Sequence, residues 1–200
     1  MSDVQIKHIR LPVFIIGLVI LAVAILVMMK QTFNREVPSV EPAAESSTRD
    51  IFKLTSPVFD NSGAIPAIYT CKSDNISPPL AIQNVPDNTK ELALIMHDPN
   101  AVDKDWVHWL VWKIPVTTSL ISEHQVPADS IEGTTDFGKP GYGGPCPPAG
   151  TGTHNYTFDL YALNDTIDLD ATATRDTLIA AMNGKVVAKA QLVGRVTAAQ

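Results

Sequence analysis

Residues 144–163 read Gly-Pro-Cys-Pro-Pro-Ala-Gly-Thr-Gly-Thr-His-Asn-Tyr-Thr-Phe-Asp-Leu-Tyr-Ala-Leu. The first half has the composition of a stiff loop, because proline fixes the backbone while glycine lets a ligand come close to main-chain amides. The second half alternates. A period of two puts His154, Tyr156, Phe158 and Leu160 on one face, with Asn155, Thr157 and Asp159 on the other. The stretch therefore predicts a β-strand over Tyr156 to Leu163, entered from a rigid loop, with a histidine where the apolar face begins.

Working upstream, Glu91 to Met96 (ELALIM) predicts a buried strand that ends in His97-Asp98-Pro99-Asn100. Trp106 to Ile114 (WVHWLVWKI) is rich in strand formers and is stopped by Pro115. Strict alternation there puts Trp106, His108, Leu110, Trp112 and Ile114 on one face. Ile65 to Thr70 reads as a short strand, Ser77-Pro78-Pro79-Leu80 as the start of another, and Leu192 to Val196 as the last. Thr174 can cap a helix over Arg175 to Met182, stopped by Asn183-Gly184, while Val186 to Ala190 reads as a second helical turn or as a strand. The expected fold class is mainly β: an antiparallel β-sandwich with one or two short helices near the C-terminus.

Leu11 to Met29 is uncharged and almost wholly apolar. As a helix it would be about 28 Å long, close to the hydrocarbon thickness of a bilayer. It reads as a separate transmembrane helix, with a cleaved signal peptide as the rival, although no small-x-small site follows the run. The expected organisation is a head (1–10), an anchor (11–29), a flexible linker rich in Pro, Ser, Glu and Ala (30–50) and one domain (51–200). A short head and a long C-terminal domain point to a single-pass protein of the cell membrane with the domain outside the cytoplasm.

The chain carries 15 Lys and Arg against 21 Asp and Glu, and the whole deficit lies after residue 50. An acidic domain repels phosphate backbones, so nucleic acid is not expected as a partner. The acidic run from Asp159 to Asp176 reads as solvated surface.

The candidate chemistry gathers on Asp98, His108, His154 and Tyr156. A polar group ending an apolar face is either a satisfied core residue or the lining of a pocket. One aspartate and two histidines also have the ligand types of a metal enzyme, but Asp98, His108 and His154 lack close metal-ligand spacing. Cys146 and His154 are the one nucleophile–base candidate, and there is no Gly-x-Ser-x-Gly elbow. Cys71 and Cys146 are the two cysteines, open to a disulfide or to two free thiols.

The segments His97-Asp98-Pro99-Asn100-Ala101, Trp106-Val107-His108, Tyr69-Thr70-Cys71, Asn75-Ile76-Ser77-Pro78-Pro79-Leu80 and Gly144-Pro145-Cys146-Pro147-Pro148 through His154-Asn155-Tyr156 resemble the phosphatidylethanolamine-binding protein family, in its bacterial, Raf-kinase-inhibitor-like branch. The resemblance spans about residues 52 to 197. It implies a β-sandwich with a small pocket for phosphate-like groups, including phospholipid head groups. It places Asp98, Trp106, His108, Gly144, Pro147, Pro148, His154 and Tyr156 at that ligand. Asn100 stands where the family often has a second Asp, and Cys146 interrupts a simpler Gly-Pro-Pro form. The expected function is a membrane-tethered binding or regulatory domain for a small anionic ligand, without a cofactor and not an enzyme. A metal-dependent enzyme and a protease or kinase inhibitor module are the alternatives.

Overall fold

The computed structural model describes residues 21–29 and 51–200. Residues 21–29 form a helix, α1, whose Leu21, Ile25, Leu26 and Met29 side chains are exposed. Among the described residues no helix is long and apolar enough to cross a membrane. The expected head, the linker and the first part of the expected anchor lie outside the described residues.

In the larger unit, Thr48–Gln200, the strands are β1 (Lys53–Thr55), β2 (Gly63–Ala64), β3 (Leu80–Gln83), β4 (Glu91–Asp98), β5 (Trp106–Ile114), β6 (Leu120–Ile121), β7 (Ile131–Glu132), β8 (Thr153–Leu163) and β9 (Val186–Thr197). They form a three-stranded sheet, β1-β3-β6, and a six-stranded sheet, β2-β9-β8-β4-β5-β7. Every pairing is antiparallel except that of the two-residue β2 with β9, which is parallel and departs from the expected all-antiparallel arrangement. One hydrophobic cluster takes Leu54, Leu80, Ile82 and Ile121 from the small sheet and Leu94, Met96, Trp109, Phe158 and Leu192 from the large one. A second cluster on the large sheet includes Ile95, Leu110 and Trp112. It is covered by Leu178 and Met182 of α2, Arg175–Met182. The Thr174 N–H donates to Thr177 Oγ1 at 2.8 Å, which closes the start of α2. Gly184 stands at φ +74, where an L side chain would be strained, and the chain turns there into β9.

Val186 to Ala190 is strand, the first part of β9, so α2 is the one α-helix near the C-terminus. Ile65 to Thr70 is not a strand. Pro66 precedes a 3-10 turn at Ala67–Tyr69 that buries Tyr69.

The larger correction concerns β5. Met96 pairs with Trp109 but His97 pairs with Val107, which leaves His108 as an extra residue. Leu92 pairs with Ile114 but Leu94 pairs with Val111, a second slip next to Lys113 at φ +57. Each bulge shifts the alternation by one residue. Trp109 and Val111 therefore join the cluster shared by both sheets, while Leu110 and Trp112 go to the cluster beneath α2. The expected common face of Trp106, His108, Leu110, Trp112 and Ile114 does not exist as one face.

Candidate functional site

β4 ends by sending consecutive residues to opposite sides. Asp98 follows Met96 onto the side of the shared core, and His97 follows Ile95 onto the other. β8 is regular, so His154 stands on the same face as Tyr156 and Phe158, and it meets Asp98: His154 Nδ1 lies 2.7 Å from Asp98 Oδ2. The other carboxylate oxygen accepts the Asn100 N–H at 2.8 Å.

Hydrogen-bond accounting fixes the protons of this pair. The Thr151 hydroxyl donates to the Pro148 carbonyl at 2.7 Å, so its oxygen accepts from His154 Nε2 at 2.8 Å, and Nε2 carries a hydrogen. A second hydrogen must lie between Nδ1 and Asp98. Whichever atom holds it, the pair has no net charge. Both side chains are almost fully buried, where an unpaired charge would be costly.

The bulge at His108 aims its ring toward the same place. His108 Nδ1 donates to the Gly143 carbonyl at 2.6 Å, which leaves Nε2 for the cavity. Burial pulls His108 below its ordinary value of 6.5, against smaller opposing effects of the Gly143 carbonyl and Asp98. Its ring is neutral near pH 7, so Nε2 is an acceptor. Tyr156 is wholly buried, edge-on to His108 at 5.1 Å and stacked on His154 at 6.4 Å. Burial and then the Asp98 carboxylate push its hydroxyl well above the usual phenol range, so it remains protonated.

These four side chains form the polar end of a cavity of about 260 Å³. Trp106, Pro147 and Pro148, which the family resemblance placed at the ligand, line its apolar wall. Ala101, Val102, Asp103, Phe137 and Cys146 complete the lining and were not anticipated. Phe137 packs edge-on against both Trp106 and His108, with ring centroids 5.6 and 5.5 Å apart. A bulky aromatic in the turn Thr135-Asp136-Phe137-Gly138 was the available signal. Asn100 does not line the cavity: its Oδ1 accepts the Asn155 N–H at 2.8 Å and ties the loop to β8, while Asp103 supplies the second carboxylate.

Gly144 is not in the lining. Its N–H donates to Asn75 Oδ1 at 2.8 Å, and a Cβ there would meet Asn75 and, at 2.7 Å, the Tyr69 carbonyl. Its smallness serves close packing rather than a ligand. Cys71 and Cys146 are joined in a disulfide with Cα atoms 5.4 Å apart. With the Cys71 N–H on the Pro145 carbonyl at 3.1 Å and the Tyr142 hydroxyl on the Tyr69 carbonyl at 2.7 Å, it fastens the pocket loop to residues 69–75. Cys146 therefore offers no thiol for nucleophilic chemistry. Among the described residues no three His, Cys, Asp or Glu side chains converge to hold a metal. Asp98 and His154 have committed every polar atom, and His108 has committed one.

On the other side of β4, His97 is buried against Asp105 and Asp159. Asp159, expected in solvent, is only 5% exposed, because β8 turns it inward over the sheet toward His97, Lys189 and Gln191.

The family described as phosphatidylethanolamine-binding protein matches residues 55–197. A UPF0098 protein from Methanothermobacter thermautotrophicus is 42% identical over 146 residues, which cover 70% of this chain and 95% of that one. A protein described as lipoprotein LppC from Mycobacterium tuberculosis is 39% identical over 153 residues, 76% of this chain and 73% of that one. The crystal structure of a phosphatidylethanolamine-binding protein homologue from Chlamydia trachomatis superposes with a TM-score of 0.69 at 34% identity, covering 73% of this chain and 97% of that one.

Proposed function

The chain belongs to the phosphatidylethanolamine-binding protein family, and from that premise we propose that it is a membrane-tethered binding domain whose cavity takes the phosphate-like head of a small anionic ligand or phospholipid. The two sheets are read as the layers of a sandwich, with the cavity at one end of their shared core. The observation that carries the proposal is the state of His108. The Gly143 carbonyl holds one ring nitrogen, and the other is left for the cavity in neutral form. An anion there supplies the charge that burial withholds, so it draws a proton onto Nε2 and accepts the resulting charge-assisted hydrogen bond. The adjacent Asp98–His154 pair, having no net charge, does not repel the anion. The domain acts by binding, not by turnover: its disulfide holds the cysteines and its buried acid and base are satisfied by each other.

Tethering is supported by the apolar run Leu11 to Met29 and by the relative described as a lipoprotein. The domain is then carried outside the cytoplasm, where a disulfide persists.

The test is calorimetric titration of the full chain in detergent micelles with inorganic phosphate and, separately, with glycerophosphoethanolamine. Binding should strengthen as pH falls and be accompanied by proton uptake, and His108→Gln should weaken it about tenfold. Tighter binding of the phosphodiester identifies a lipid head group, and tighter binding of phosphate a free anion. A folded His108→Gln protein with wild-type affinity for both rejects the proposal. His154→Ala is a poor probe of binding, since it strips the buried Asp98 of its partner.

A further inference from the structure

The rim of the cavity is the loop from Pro99 to Asp105, which contributes Ala101, Val102 and Asp103. Its near end is fastened on the cavity side, where Asp98 Oδ1 takes the Asn100 N–H and Asn100 Oδ1 takes the Asn155 N–H. Its far end is fastened on the opposite side of the sheet. Asp105 Oδ1 stands 2.6 Å from His97 Nδ1, and Asp105 Oδ2 accepts from Arg175, the first residue of α2, at 2.6 Å. Two neighbouring residues of β4, pointing in opposite directions, thus hold the two ends of one loop. Lys104, next to Asp105, pairs with Asp136 and lies over the Trp106 ring at 5.2 Å, so the far end also abuts the apolar wall.

We infer that Asp105, clamped between His97 and Arg175, is a positioning residue for the ligand cavity, and that the clamp sets ligand affinity from the far side of the sheet. The inference rests on the proposed ligand site. Two facts favour a positioning role over simple packing. The carboxylate is bonded on both oxygens by groups from two different elements, which fixes its direction as well as its place. The three rim residues end two positions before it in sequence, so a shift of Asp105 moves them toward or away from His108.

The clamp is also sensitive to protonation. His97 faces Asp105 from the loop and Asp159 from β8, with Tyr161 from β8 and Lys189 and Gln191 from β9 reaching it by way of Asp159, and Arg175 from α2 by way of Asp105. Burial pulls it down, but the two carboxylates outweigh burial and Arg175, and it ends above its ordinary value of 6.5. Below that raised value the ring is a cation between two anions, and as pH rises through it the ring loses its charge and one of its two N–H groups, so its hold on the pair of carboxylates weakens.

The experiment uses the full chain in detergent micelles and glycerophosphoethanolamine, whose phosphodiester keeps one negative charge from about pH 5 to about pH 9. Affinity of the wild type is expected to fall in two steps with rising pH: one that begins below 6.5, from His108, and one above 6.5, from His97. His97→Gln and Asp105→Asn should each weaken acid-side binding roughly fivefold and abolish the alkaline step alone. Arg175→Lys, which keeps the charge, should retain more of the affinity than Arg175→Gln. A packing role would lower the melting temperature yet leave the pH profile as it was, and that result overturns the inference. Hydrogen exchange at residues 101–104 gives a ligand-free reading: protection should drop in His97→Gln and Asp105→Asn. If the wild type fails to bind glycerophosphoethanolamine or phosphate, the ligand class is rejected while exchange still decides the clamp. Unchanged protection in both variants rejects it.

Discussion

At the C-terminal end of β4 two histidine–carboxylate arrangements stand back to back, and they are built in different ways. On the cavity side Asp98 and His154 are 3% and 2% exposed, with every side-chain polar atom matched. On the far side the charges run in a chain, Arg175, Asp105, His97, Asp159 and Lys189, that emerges into solvent at both ends. The first is a sealed neutral pair and the second an alternating ladder. A sealed pair tolerates no change because water cannot replace a lost partner, whereas a ladder with wet ends can re-solvate when one rung is removed. Removing one partner from each side tests this contrast most severely. Asp98→Ala should cost about 3–5 kcal/mol, the usual price of breaking a buried pair. Asp105→Ala, whose side chain is 34% exposed, should cost about 1 kcal/mol or less. Urea unfolding of both variants checks it, and equal losses would mean that the two arrangements are energetically alike.

The cavity side has a further hold that the far side lacks. The Cys71–Cys146 disulfide closes a loop across a sequence separation of 75 and fastens the loop leading to His154. Cutting such a link costs about 2–4 kcal/mol, since the unfolded chain regains the freedom the bond removed. The Cys71→Ser, Cys146→Ser double variant should therefore lose stability by that amount. Its extra hydrogen exchange should appear in residues 142–151 and spare His97 and Asp105. Uniform loosening on both sides would show that the disulfide braces the whole domain rather than the cavity side.

The contrast also explains which parts of the molecule can be read from its sequence. β8 keeps an unbroken period of two, so the shared face of His154, Tyr156 and Phe158 follows from spacing alone. β5 breaks its period twice, once at His108 and once beside Lys113. Neither position carries the glycine that commonly marks a bulge, so alternation misplaces Trp109, Leu110, Val111 and Trp112. In the site, the residues inside the motif-bearing segments were legible, apart from Gly144, whose tight partners Asn75 and Tyr69 are 69 and 75 residues away. Phe137, Val102 and Asp103 reach the cavity through the paths of loops, which no local period encodes. His97 could be sent away from the cavity by its parity with Asp98. Its partners could not be named, because Asp105, Asp159 and Arg175 come from a loop, a strand and a helix.

The smallest expected effect sharpens the comparison most, because the histidines of the two sides should respond to pH in opposite directions. His97 on the far side is raised above 6.5 in the folded chain. Its contribution to stability is fully present below 6.5 and is lost as pH rises through the raised value. His108 on the cavity side is lowered below 6.5. The unfolded chain takes up that proton first, so stability falls as pH drops from 6.5 toward the lowered value, and there is no effect above. The two slopes act in different windows, and together they place the optimum of the wild type near the ordinary histidine range. His97→Gln should remove the alkaline loss and leave the acid one, and His108→Gln should do the reverse, each by a few degrees in melting temperature. Phosphate should abolish the acid loss selectively, because an anion in the cavity lets the folded chain accept the His108 proton. Melting curves at acid, neutral and alkaline pH, with and without phosphate, read all of these at once. A phosphate effect confined to the alkaline side would assign the anion to the far face of the sheet and not to the cavity.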